Sequence, residues 1–204
     1  MKLVRQIESQ IESLLDGVAG RVFRGPLHPA ELTARLVREA DLGSKQGVHS
    51  VTAPNIFEII VNPADIGNND PTPLLSQLQR LVDASSFERG WRLDGPVEIH
   101  LSTSAEIGPG SPRCRASFRQ GDRAPWAYLA PLGGLNIAIS VNHCLVGRAP
   151  SADTILSDET VSRHHAVIWR EADRCLVADL GSSNGTFVDG NRIGTEHAEI
   201  GSGS

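Results

Sequence analysis

Arg148, Ser162, Arg163, Ser183 and Asn184 fall in three short clusters, LVGRAPS, TVSRHHAV and LGSSNGTF, separated by stretches that read as strands. Two guanidinium cations, two hydroxyls and a carboxamide are the groups that capture an anion. A phosphorylated side chain carries about −1.5 to −2 charges and several acceptor oxygens, so its receptor needs fixed cations and donors. Such groups work best on loops held by a rigid sheet. Their charge-assisted hydrogen bonds are roughly twice as strong as neutral ones. Taken singly, an arginine after glycine is an ordinary solvated turn residue, and SSNGT is a generic turn whose Asn-Gly pair favours positive φ. The joint occurrence of the clusters, in this order, carries the reading.

Catalytic readings of the same residues are weaker. Ser162, His165 and Asp179 supply the letters of a hydrolytic triad, yet Ser162 has no GxSxG elbow and no oxyanion donors are assignable. His164 and His165 are adjacent, and neighbours on a strand point to opposite faces, so they do not grip one metal ion together. One is expected inward and one outward. Cys114, Cys144 and Cys175 are odd in number and lack CxxC spacing, which argues against a disulfide framework or a zinc site and for buried thiols. No catalytic residue, metal or cofactor is expected.

The pattern Gly147-Arg148, Ser162 to His165 and Asn184-Gly185 closely resembles the forkhead-associated (FHA) domain. That resemblance implies a β-sandwich whose loops bind phosphothreonine peptides. It matches Arg148, Ser162, Arg163 and Ser183 to the family's phosphate-contacting positions and Asn184 to the position that holds the peptide backbone. Gly147, His165 and Gly185 match positions that shape the loops. Thr160 stands where some relatives carry a basic residue, so that additional phosphate ligand is missing.

The rest of the chain must position this site. Its 204 residues suit two small domains, and 40% hydrophobic and 21% charged residues with no long apolar run place it among soluble globular chains. A net charge of −5 disfavours broad electrostatic binding to nucleic acid or anionic lipid, so anion recognition must be local. Glu8 and Glu12 interrupt the apolar N-terminus and no cleavage site follows, which predicts no signal peptide and a cytoplasmic address. Apolar residues from Ile7 to Phe23 recur at helical steps. Pro29 opens a second helix with inner stripe Leu32, Leu36, Val37 and Ala40 and exit Gly43. GVHSVTAPNIFEIIVNP reads as a hairpin turning at Ala53, Pro54 and Asn55. Thr72 is the expected N-cap of a third helix closed by Gly90, and strands follow in VEIHLS and RCRASFR. The expected architecture is therefore an N-terminal α+β domain over residues 1–118, a short linker at 119–125, and an all-β FHA sandwich over 126–204.

The first half, with TAPNIFEIIVNP, FERGW and GPVEIHL, is similar to the N-terminal domain of actinobacterial FhaA-type proteins over residues 3 to about 118. In many relatives a long Gly- and Gln-rich linker precedes the FHA domain, and here it is nearly absent. The resemblance implies a cytoplasmic adaptor recruited to the inner face of the membrane, coupling Ser/Thr protein kinase signalling to cell-wall synthesis and division. Implied partners are phosphothreonine proteins, among them an MviN-like membrane protein and the kinase, and a second copy through a phosphothreonine of its own; neither nucleic acid nor membrane insertion is implied. The competing class is nucleic-acid binding through the α+β half, since Gly17-Val18-Ala19-Gly20 fits a KH-type GxxG loop. Apolar spacing that runs through both glycines favours helix there instead. After Asn191-Arg192-Ile193 an FHA sandwich continues through two closing strands, whereas this chain ends at GTEHAEIGSGS, which reads as C-terminally truncated.

Overall fold

The computed structural model describes residues 22–23, 29–130 and 134–201. The expected first helix and the Gly17 to Gly20 loop lie outside the described residues, apart from Val22 and Phe23. Both of these are buried, and Phe23 pairs with Ile66 in an isolated bridge. The chain divides into two compact units, one drawn from residues 1–45, 52–86 and 93–121, the other from 46–51, 87–92 and 122–204.

In the first unit, helix α1 spans Pro29–Gly43. Leu32, Leu36 and Ala40 fall four residues apart and are almost fully buried, while Val37 is half-buried. Each buried leucine contributes about 1.5–3 kcal/mol of apolar transfer. Strands β1 (Lys45–Gln46) and β2 (Val51–Thr52) follow, then β3 (Ile56–Val61). Helix α2 runs Thr72–Glu88; β4 (Trp91–Arg92), which belongs to the second unit, follows it, and β5 (Glu98–Thr103) and β6 (Arg113–Ser117) return to the first. Phe57, Ile59 and Val61 alternate along β3 at zero exposure, as period-two side chains on a sheet face must. β3 lies at the centre of a three-stranded sheet, parallel to β5 and antiparallel to β6. A parallel neighbour requires a crossover, which α2 supplies.

This arrangement corrects the hairpin expected around Ala53, Pro54 and Asn55. β2 belongs with β1 and β4, and β3 pairs elsewhere. Asn55 explains why. Its buried carboxamide donates to the carbonyls of Pro96 and Arg119 and accepts from the Arg119 N–H, while its backbone N–H donates to Ser117. Asn55 is thus extended and sewn to β5 and β6, where a turn residue would leave those groups unpaired. The helix α2 cap also moves: Thr72 lies inside the first turn, and the Asp70 carboxylate accepts from its N–H and hydroxyl. Gly90 closes the segment at φ +61°.

From residue 122 onward the second unit is built of strands. Its strands are β7 (Ala127–Leu129), β8 (Ile137–Ile139), β9 (Cys144–Gly147), β10 (Thr154–Ile155), β11 (Ala166–Glu171), β12 (Arg174–Asp179), β13 (Thr186–Val188), β14 (Asn191–Ile193) and β15 (Ala198–Ile200). β10, β9, β11, β12 and β15 form one sheet in that order, and β7–β8 and β13–β14 form two hairpins. Ile139, Cys144, Val146, Ala166, Ile168 and Val177 make the core, with Leu129, Val188 and Ile193 of the hairpins packed against it. Pairing in the sheet is antiparallel except between β9 and β10, which are parallel. The segment after Ile193 is not bare of strands either: β15 adds to β12 through Cys175↔Ile200 and Val177↔Ala198. Of the three free thiols only Cys144 is buried; Cys114, on the edge strand β6, and Cys175, near the start of β12, are half-buried. Burial pushes the Cys114 thiol up to about 11. No helix among the described residues is long and apolar enough to cross a membrane.

Candidate functional site

Strand register places the candidate residues. Ala166, the first residue of β11, pairs with Val146 near the end of β9 on one side and with Asp179, the end of β12, on the other. Because β11 is antiparallel to both, the exit of β9, the entry of β11 and the exit of β12 lie at one end of the sheet. The ladder continues one step through His165 N–H to Val146 O and Leu180 N–H to His165 O. Three loops far apart in sequence therefore leave the sheet side by side.

Gly147 ends β9 under the Arg163 backbone, where an added Cβ would fall 2.8 Å from the Arg163 carbonyl carbon. The next two residues tie the loops together, Arg148 N–H to Ser162 O at 2.9 Å and Ala149 N–H to Arg163 O at 3.1 Å. Ser162 Oγ accepts from the Ser183 N–H at 3.0 Å, and Asn184 Nδ2 donates to Thr160 O at 2.7 Å. Arg148 Nε donates to Val161 O, which holds the side chain over the loop. Its terminal nitrogens, and the whole guanidinium of Arg163, have no partner among the described residues. Arg148, Arg163, Ser183 and Asn184 are exposed. All the residues singled out from sequence thus meet on one open ledge bearing two uncompensated cations.

The supporting residues account for the geometry. His165 Nδ1 accepts from the Ser162 N–H at 3.0 Å, which requires an unprotonated Nδ1 and fixes Ser162. His164 is exposed and meets Ser151 Oγ instead, so the two histidines diverge as strand geometry predicts. Gly185 has φ +86°, a conformation side chains rarely adopt, and turns the chain after Asn184 into β13. Ser162, His165 and Asp179 are not connected as nucleophile, base and orienter. The Asp179 carboxylate is taken up by Gly181 N–H, Ser182 N–H, Ser182 Oγ and Thr186 Oγ1 at 2.5–2.8 Å. Among the described residues no three His, Cys, Asp or Glu side chains are placed to hold a metal ion.

Three acids steady these loops, of which sequence reasoning named only Asp179, and that as a letter of a triad. Asp179 organises the loop carrying Ser183 and Asn184. Burial alone would raise its pKa, but the Ser182 and Thr186 hydroxyls and the Ser182 and Gly181 N–H groups outweigh it and hold it down to about 2. Asp158 accepts the Thr160 hydroxyl and N–H, which lowers its pKa and sets the carbonyl that Asn184 grips. Asp153 accepts the Leu145 N–H and a bidentate Arg92 at 2.7 and 2.8 Å, pinning the segment that follows Arg148. The signal was present in type: aspartates bond their own backbone two residues on, as Asp179 does to Gly181 and Asp158 to Thr160. The Arg92 partnership carried no signal, since the two residues are 61 positions apart.

Three loops laced together at one end of a β-sandwich, with exposed arginines on them, define a forkhead-associated domain, and residues 144–204 match the family model of the FHA domain. Residues 4–115, more than half of the chain, match the model of the FhaA N-terminal domain, and the chain belongs to that family. The chain is 29% identical over 120 residues to the FHA domain-containing protein FhaA of Mycobacterium tuberculosis, an alignment covering 57% of this chain and 23% of that one. Against other curated relatives, aligned over shorter stretches, it spans about two fifths of their length. Among solved structures, the FhaA FHA domain complexed with the intracellular domain of Rv3910 is 33% identical, covering 29% of this chain and 64% of that one at a TM-score of 0.27. The N-terminal FHA domain of Saccharomyces cerevisiae Rad53p, in complex with a phosphothreonine peptide, is 26% identical, covering 28% and 48% at a TM-score of 0.26.

Proposed function

We propose that this chain is an adaptor that binds phosphothreonine peptides through its FHA unit and catalyses no reaction. The observation that carries the reading is the ledge itself: Arg148, Ser162, Arg163, Ser183 and Asn184 converge from three loops, and the two guanidinium groups have donors to spare. In this reading Arg148, Arg163, Ser162 and Ser183 receive the phosphate and Asn184 the peptide backbone. Gly147, His165 and Gly185 hold the loops. Membership in the FhaA N-terminal family supports a place downstream of a Ser/Thr protein kinase in the control of cell-wall synthesis or division. On that reading the protein works in the cytoplasm, with a phosphorylated MviN-like membrane protein, the kinase, or a phosphothreonine of a second copy as partner.

A phosphothreonine-peptide library passed over the immobilised chain, with the dephosphorylated library as control, tests the proposal. Selective retention of the phosphorylated library is expected, and equal retention of both would sink it. Affinity for one retained peptide should also fall with pH. The second phosphate ionisation lies near about 6, so between pH 7.5 and 5 roughly nine tenths of the dianion is lost, and binding should weaken up to about 10-fold. Titration calorimetry across that range checks it, and a flat profile would count against a pocket that reads the dianion.

A further inference from the structure

The β13–β14 hairpin carries two large side chains that the ledge does not use. Its register pairs Thr186 with Ile193, Phe187 with Arg192 and Val188 with Asn191 across a two-residue turn at Asp189 and Gly190, whose φ values are 50° and 78°. Thr186 reaches inward to Asp179, and Val188 and Ile193 pack on the core. Strand alternation then turns Phe187 and Arg192, directly opposite each other, outward on one face. Phe187 is 57% exposed, a large apolar ring open to solvent over more than half of its surface. The Arg192 guanidinium lies along the Gly185 backbone: a Cβ on Gly185 would fall 2.5 Å from Nε and 3.1 Å from Cζ. Gly185 therefore makes room for that cation one residue from Asn184. Among the described residues Arg192 has no carboxylate partner, in a chain whose net charge is −5.

Resting on the phosphopeptide reading of the adjacent ledge, we propose that Arg192 and Phe187 form a second subsite, which takes a glutamate flanking the phosphothreonine. The guanidinium fork receives the carboxylate, in the planar pairing that arginine favours, and the glutamate's methylene stem lies on the Phe187 ring. The subsite selects among phosphothreonine peptides and does not contribute to holding the phosphate.

The test uses the full chain and synthetic phosphothreonine peptides with alanine at every flanking position, or with a single glutamate placed at each position in turn. Glutamate at one position is expected to tighten binding by up to about 5-fold over alanine, the range of an exposed ion pair. Arg192→Gln should abolish that advantage while binding the all-alanine phosphopeptide as the parent does. Phe187→Ala should reduce it, again without loss on the all-alanine peptide. A glutamate advantage absent in the parent, or unchanged by either substitution, overturns the subsite while the ledge stands. Equal weakening of every phosphopeptide by Arg192→Gln would make Arg192 a phosphate ligand and also overturn it. Failure of the parent to bind the all-alanine phosphopeptide would instead overturn the proposed function itself.

Discussion

Arg148→Ala should weaken binding of a phosphothreonine peptide by roughly 10- to 150-fold, because hydrogen bonds to charged groups are worth about 1.5–3 kcal/mol. The geometry adds to that number. Arg148 Nε already donates to Val161 O, so the free side chain is held in place before the ligand arrives, and little rotamer freedom is lost on binding. Its truncation removes both the cation and the tie that steadies the loop through Val161. Arg148→Lys should fall between the two, since an ammonium keeps the charge but cannot bond Val161 and the phosphate with one planar fork. Arg148 is exposed, so the fold should survive both changes, and thermal unfolding of the unliganded variants should match the parent. Isothermal titration with one phosphopeptide decides the matter. Parental affinity in the alanine variant would mean that Arg148 has been placed in the wrong role.

Asp179→Ala should cost about 3 kcal/mol of stability and reduce phosphopeptide affinity together. The carboxylate is the common acceptor of two backbone N–H groups and two hydroxyls, and Asp179 itself is 6% exposed. Removing it strands donors in a buried setting at about 1–3 kcal/mol per unsatisfied group, partly relieved by rotation of the two hydroxyls. The loop that carries Ser183 and Asn184 loses its anchor, so binding suffers without any direct contact to the ligand. Acid titration supplies an independent signature. With its folded pKa held down to about 2 against an ordinary carboxylate value of about 3.9, Asp179 contributes about 2 kcal/mol of stability. That contribution is fully present above the unfolded value and is lost as pH falls from about 4 to 2. Asp179→Asn keeps an acceptor oxygen but cannot titrate, so its loss at pH 7 should be smaller, and its stability should decline less steeply than the parent's over that window. Urea unfolding at several pH values reads both effects, and parallel pH profiles for parent and Asp179→Asn would refute the assignment.

The comparison of sequence with structure divides along a physical line. Elements whose signal is local were legible. The four-residue spacing of Leu32, Leu36 and Ala40 specifies α1, the alternation of Phe57, Ile59 and Val61 specifies β3, and Asn184-Gly185 with its positive φ marks the turn at the ledge. Residue type and order alone also bring the arginines, serines and Asn184 of the proposed site under one pattern. What the sequence could not determine was pairing. β3 looked like the second arm of a hairpin because alternation says that a strand exists and not which neighbour it takes; the choice of β5 and β6 rests on the Asn55 carboxamide and on α2 as crossover. The parallel join of β10 to β9, and the addition of β15 to β12, are decisions of the same kind.

Sequence by itself determined which side chains carry the charge and donors that the proposed phosphate site would use, since these belong to the residue. Only the tertiary structure decided that they meet, because their convergence follows from Ala166 standing in register with both Val146 and Asp179. It also decided what holds them still. Asp179, Asp158 and the Arg92 to Asp153 pair act through hydrogen bonds whose partners are chosen by chain packing.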